Sequence, residues 1–252
     1  MRRLVPKGRF LEWTVQPEGF RERRARIYVP SDHREDGTRP LLLLFDGQNV
    51  FGDEGSFAGG WHADEALDAM GRRGRNVPVI VGLDHGEEDR LAELSAWKVQ
   101  GASGRADAFL DWVVGRLLPR VQDALGLGRG PVGAVAGGSS MGGLAALYAH
   151  YRYPEAFGGA LAMSPSLWIA RGALFGYLRN HPVPPFSRIY LDAGAQEAGG
   201  RMLQAADRLA QDLAGRGYSP GQLMWRPDPR GGHNERAWRR RLPKALRFMF
   251  QA

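Results

Sequence analysis

Two periods organise the apolar positions of this chain. Continuous apolar runs at "RPLLLLFDG" (39–47), "VPVIVGLD" (77–84), "PVGAVAGG" (131–138), "GGALAMS" (158–164), "SRIYLDAG" (187–194) and "QLMWRP" (222–227) predict strands, most of them buried on both faces. Two earlier segments, "GRFLEWTV" (8–15) and "RERRARIYVP" (21–30), predict an antiparallel pair joined through "QPEG". Helical spacing appears between the strands, over 62–70, 105–125, 141–152, 171–180, 200–216 and 234–250. In the second of these, Leu110, Val113, Val114, Leu117, Leu118 and Val121 share one face, and Pro119 predicts a bend. The alternation implies an α/β fold with a mostly parallel sheet of about eight strands, its first hairpin antiparallel, covered by helices on both faces. Ligands of such sheets sit at the carboxyl ends of the strands, so the loops after strands are where chemistry is sought. Nothing divides the chain by composition or repeats, and one domain over 1–252 is expected.

One strand-to-helix junction carries a chemical signal. Residues 136–143 read "AGGSSMGG", and Gly138-Ser139-Ser140-Met141-Gly142 is a G-x-S-x-G. Ser139 would need glycine at 141 and meets methionine, so the pattern selects Ser140. A nucleophile at the tip of a sharp turn brings the residues two positions either side almost into contact, and glycine removes the side chains that would collide. The G-x-G-x-x-G at "GRGPVG" (128–133) leads into a strand rather than out of one, and Pro131 lacks an amide, so it reads as a turn.

A serine nucleophile needs a base and an acid, which in this architecture follow it in the order acid, then histidine. Of the 6 histidines, His33, His62 and His85 precede Ser140, His150 lies on its helix, and His181 enters a strand. His233, in "DPRGGHNE" between the last strand and last helix, remains. The acid candidates are Asp192, Glu197 and Asp228. Asp192 lies within a strand, where it could equally pair with an arginine, and Asp228 shares a loop with His233. Glu197 follows its strand on the expected face and is favoured. The oxyanion of a tetrahedral intermediate needs backbone donors. Those expected are the amides of Met141, directly after the nucleophile, and Gln48, in the "DGQNVF" loop after the first buried strand.

Composition narrows the partners. With 0 cysteines, disulfides, thiolate metal sites and a cysteine nucleophile are excluded. No histidine–carboxylate cluster has ligand spacing, so neither metal nor organic cofactor is expected. Lys+Arg 34 against Asp+Glu 27 gives +7, but the arginines are scattered and no recognition element accompanies them, so no nucleic-acid partner is expected. The N-terminal "MRRLVPKGRF" lacks the apolar run of a secretory signal, and no apolar stretch is long enough to span a bilayer. A soluble, cytoplasmic protein without membrane association is expected, its oligomeric state open.

The stretches "LLLLFDGQNVF", "WHADEALD", "VIVGLDHG" with "RLAE", "GGSSMGG", "SPSLW", "YLDAGAQE" and "GGHNERAW" occur in the order found in one family. From about Phe10 onward the chain resembles the putative-esterase branch of the α/β-hydrolases, which includes carbohydrate esterases, enterochelin-type esterases, S-formylglutathione hydrolase and mycolyltransferases. The resemblance implies an α/β-hydrolase fold, the acid at Glu197, the second oxyanion amide at Gln48, and Trp61 and Trp168 lining the substrate pocket. "DGQN" stands where S-formylglutathione hydrolase has a His-Gly loop, which argues against that activity. The expectation is a serine carboxylesterase acting on a small or aromatic acyl ester through an acyl-enzyme. The alternatives are a siderophore or anionic-ester hydrolase, an acyltransferase using the same acyl-enzyme, and a non-catalytic ligand-binding homologue.

Overall fold

A computed structural model describes residues 7–56 and 58–250; the remaining positions of the expected 1–252 domain lie outside the described residues. Eight strands form one sheet: β1 (Arg9–Val15), β2 (Arg23–Val29), β3 (Leu41–Phe45), β4 (Val79–Leu83), β5 (Ala134–Ser139), β6 (Gly159–Met163), β7 (Arg188–Gly194) and β8 (Leu223–Asp228). Their order is β1-β2-β4-β3-β5-β6-β7-β8. The first hairpin is antiparallel, with Leu11 opposite Ile27, and β2 also runs antiparallel to β4. All other pairings are parallel, with Leu41 beside both Val79 and Ala134 and Ile189 beside Leu223.

Strand period sorts the apolar residues between two layers. Leu41, Leu43 and Phe45 of β3 face one core while Leu42 and Leu44 face the other. The first core is covered by α3 (Ala106–Trp112), α4 (Leu118–Ala124), α5 (Met141–Arg152), α6 (Ala173–Asn180) and α7 (Arg201–Gly215). The second is covered by α1 (Ala63–Gly71) and α8 (Glu235–Phe250). A short helix, α2 (Arg90–Glu93), follows β4. The α/β-hydrolase expectation holds element by element, with one refinement. The helix expected over 105–125 is α3 and α4 joined by a π-helical turn, Val113–Leu117. Pro119 has no amide to donate, and the wider turn just before it absorbs the missing bond.

After β3 the chain passes to β4 on one side, whereas after β5 it passes to β6 on the other. The loops leaving β3 and β5 therefore diverge and open a crevice at their carboxyl ends, the position where open parallel sheets take ligands.

His150 illustrates how completely the α5 layer is closed. It is fully buried, its Nδ1 2.9 Å from the Phe157 carbonyl and its Nε2 2.6 Å from Ser187 Oγ. Ser187 Oγ continues to Tyr218 (2.6 Å), and Tyr218 to Tyr151 (2.9 Å). A ring donating from Nδ1 and accepting at Nε2 satisfies this relay, and protonation would destroy the acceptor. Burial accordingly pushes the imidazole down to about 4. Because the unfolded chain binds this proton and the folded one does not, the stabilisation is whole above pH 6.5 and is lost as pH falls toward 4. We expect wild type to lose about 2–3 kcal/mol relative to His150→Asn between pH 7.5 and 4.5, read from urea unfolding at both pH values. A pH-independent gap between the two proteins would contradict this.

Candidate active site

Ser140 sits between β5 and α5 with φ 54° and ψ −117°, a conformation that L-residues rarely adopt. The turn is held by its own backbone: the Ser140 amide donates to the Met163 carbonyl (2.9 Å), and its carbonyl accepts from Leu144 (3.1 Å) and Ser166 (2.9 Å). A methyl group on Gly138 would lie 2.7 Å from the Gly142 carbonyl carbon, so the close approach read from the glycine spacing is present. Ser140 Oγ stands 2.9 Å from His233 Nε2 and 3.2 Å from Ser166 Oγ. Ser139, the last residue of β5, is buried beside it.

The imidazole and its carboxylate come from two loops tied together. Ala195 and Gln196 donate their amides to the carbonyls of Asp228 (2.9 Å) and Gly231 (3.0 Å). Gly194 and Gly231 are so close that a methyl on Gly194 would fall 2.2 Å from the Gly231 oxygen. This clasp brings His233 Nδ1 to 3.1 Å from Glu197 Oε2. Glu197 is buried, and its other oxygen accepts from Ser164 Oγ (2.7 Å) and the Gly194 amide (2.8 Å). Ser164 Oγ in turn accepts from Trp238 Nε1 (3.0 Å) and Arg241 Nη2 (2.9 Å), both on α8. The imidazole edge also meets Trp238, their ring centres 5.0 Å apart.

The other two acids are engaged elsewhere. Asp192 is fully buried on β7, 3.3 Å from Arg241 Nε, and accepts from Tyr190 (3.0 Å) and the Ser164 amide (3.1 Å). Burial pushes its carboxyl up to about 7 against the pull of Arg241. Asp228 pairs with Arg240 and accepts from the Arg230 amide. Neither reaches His233.

Ser140, His233 and Gln48 line one cleft of about 750 Å³ at the β3–β5 crevice, together with Arg24, Arg90 and Trp238. Gln48 lies in a single 3-10 turn, Gly47–Asn49, and Met141 is the first residue of α5. First-turn amides of a helix have no acceptor within it, which leaves both N–H groups for a ligand. Gly47 must be glycine here, since a methyl would collide with the Gly82 backbone at 2.4 Å. The two cleft arginines face carboxylates: Arg24 with Asp84 (3.1 Å), and Arg90 with Asp46 in a two-pronged pair (2.6 and 2.7 Å).

The tryptophans expected at the pocket are placed differently. Trp61 is 2% exposed and packs in the second core against Trp238, with ring centres 6.2 Å apart; it does not line the cleft. Trp168 is 61% exposed and lines a separate apolar groove of about 480 Å³ with Pro165, Leu167 and Met202, on the β6–β7 side of Ser140. The cleft tryptophan is Trp238 on α8, a residue the sequence motifs do not single out. Among the described residues, no group of three or more His, Asp or Glu side chains is arranged to hold a metal, and no helix is long and apolar enough to cross a membrane.

A protein-family model described as "Putative esterase" matches residues 20–249. The Bacillus subtilis protein YbbA, described as uncharacterized, is 23% identical over 242 residues, covering 90% of this chain and 92% of its own. An iron(III) enterobactin esterase of Dickeya dadantii is 27% identical over 244 residues, 90% of this chain and 52% of the relative. The chain thus spans about half the length of that curated esterase. The crystal structure of the enterobactin esterase of Shigella flexneri in the presence of enterobactin superposes with a TM-score of 0.72 at 26% identity, covering 96% of this chain and 58% of that one.

Proposed function

The chain belongs to the putative-esterase family, and from that premise we propose that it is a serine carboxylic-ester hydrolase working through Ser140, His233 and Glu197. The observation that carries the reading is the continuous relay Ser140 Oγ–His233 Nε2 (2.9 Å), His233 Nδ1–Glu197 Oε2 (3.1 Å), opening on a cleft. Ser140 attacks the ester carbonyl as His233 takes its proton. Glu197 holds the ring in the tautomer that accepts at Nε2 and stabilises the imidazolium. The Met141 and Gln48 amides receive the oxyanion. His233 then protonates the departing alcohol, and the same base activates water to release the acyl group.

We take the acyl group as small or aromatic, with the separate apolar groove beside Trp168 as the surface proposed to receive it. A siderophore ester is the second reading, favoured by the enterobactin esterase relatives. With Arg24 and Arg90 both paired to carboxylates, an anionic substrate would be drawn mainly by the overall +7 charge. Acyl transfer to an alcohol would use the same acyl-enzyme. A panel of activated acetyl, aryl and catecholate esters, with hydrolysis and transfer products both quantified at two salt concentrations, separates these readings. Hydrolysis of at least one ester is expected, with salt lowering kcat/KM for the anionic member only if charge steers it. A folded protein inert toward the whole panel would leave a ligand-binding homologue as the better description.

A further inference from the structure

The oxyanion loop contains a carboxylate that the reaction does not call for. Asp46 directly precedes Gly47 and Gln48, has φ 59°, and is 4% exposed. Its Oδ2 also reaches the first turn of α5, since a methyl on Gly142 would lie 3.3 Å from it. The acid therefore sits between the two segments whose amides are proposed to bind the oxyanion. Left alone, a buried negative charge there would oppose the negative charge developing on the substrate oxygen. Arg90 meets it with both prongs, Nε to Oδ1 at 2.6 Å and Nη2 to Oδ2 at 2.7 Å. Arg90 is itself fixed, because α2 is anchored by the buried Arg23–Glu93 pair (2.7 Å), with side chains 1% and 0% exposed.

We propose that Arg90 is a positioning residue for ester hydrolysis: it cancels the buried Asp46 charge beside the Gln48 and Met141 amides, so that their dipoles act undiminished on the oxyanion. The inference rests on the esterase reading of the Ser140 site. It differs from a structural bridge, in which removing either partner costs alike, because charge cancellation makes the two removals unequal.

Arg90→Gln leaves the acid uncompensated and is expected to lower kcat about 10²-fold, the scale of a lost oxyanion donor, with KM changed less than about threefold. Affinity for an alkyl boronic acid, which forms a tetrahedral anion on the serine, should fall in parallel with kcat. Asp46→Asn keeps the shape and removes the charge, so its loss should stay within about fivefold, and the double variant should recover roughly tenfold over Arg90→Gln alone. An Asp46→Asn loss equal to that of Arg90→Gln overturns the proposal in favour of a structural bridge. A rise in KM confined to anionic esters, with kcat intact, overturns it in favour of direct substrate binding by Arg90. Should Arg90→Gln fail to fold, Asp46→Asn alone decides, a 10²-fold loss in it refuting charge cancellation. Wild type inert toward every activated ester would instead remove the esterase reading itself.

Discussion

Ser140→Ala is expected to lower kcat on activated esters about 10⁶-fold and to abolish labelling by a fluorophosphonate probe, with the fold unchanged. The magnitude follows because nucleophile and base act as a unit, so that losing the nucleophile forfeits nearly all that the unit supplies and leaves only what the oxyanion donors and binding provide. Wild type should take one adduct per chain, mapped to Ser140. Ser139→Ala should keep the label, because it is Ser140 Oγ that meets His233 Nε2 at 2.9 Å. His233→Ala should suppress labelling while leaving Ser140 in place, since the imidazole activates the hydroxyl. An adduct on Ser139 would refute the glycine-spacing argument while sparing the esterase reading. Full turnover by Ser140→Ala would end both.

Glu197→Ala is expected to cost about 10⁴ in kcat, the scale seen when an acid that orients a base is lost. Asp192→Ala should act on stability instead. It removes one of the carboxylates facing the buried Arg241 guanidinium, 7% exposed, leaving Glu197 at 3.5 Å, and should lower stability by about 2–3 kcal/mol. Measuring kcat and the urea midpoint for both variants decides the assignment. If Asp192→Ala loses turnover at an unchanged midpoint while Glu197→Ala remains active, Asp192 is the acid and the loop argument is wrong. Since Arg241 also approaches Glu197 at 3.5 Å, some loss of kcat in Asp192→Ala is compatible with the assignment to Glu197.

The strands, the antiparallel first hairpin and the sharp turn at Ser140 can be read from the chain because each has a local signature: a continuous apolar run, a turn residue, two glycines at fixed spacing. Spacing selects Ser140, order along the chain selects His233, and loop placement favours Glu197, the three residues proposed for the relay. What supports them has no such signature. Trp238 and Arg241 bond to Ser164 across 74 and 77 residues, and Arg90 meets Asp46 across 44. Nothing in the local sequence of α8 distinguishes an inward Trp that packs from one that also donates to Ser164. Trp61 and Trp168 show the same limit in reverse. An aromatic near a motif in sequence is sorted into core or surface only by the register of the element carrying it.

The clasp between the loops after β7 and β8 bears on the order in which the molecule is made. The serine hydroxyl and the imidazole are 93 residues apart, and the strand, turn and helix around Ser140 precede His233 and Glu197, the groups proposed to activate it. During synthesis those segments are out well before Gly231 can close on Gly194 and before α8 can bring Trp238 and Arg241 to Ser164. On the proposed assignment, a nascent chain thus carries a shaped serine before it carries the imidazole and carboxylate that would activate it.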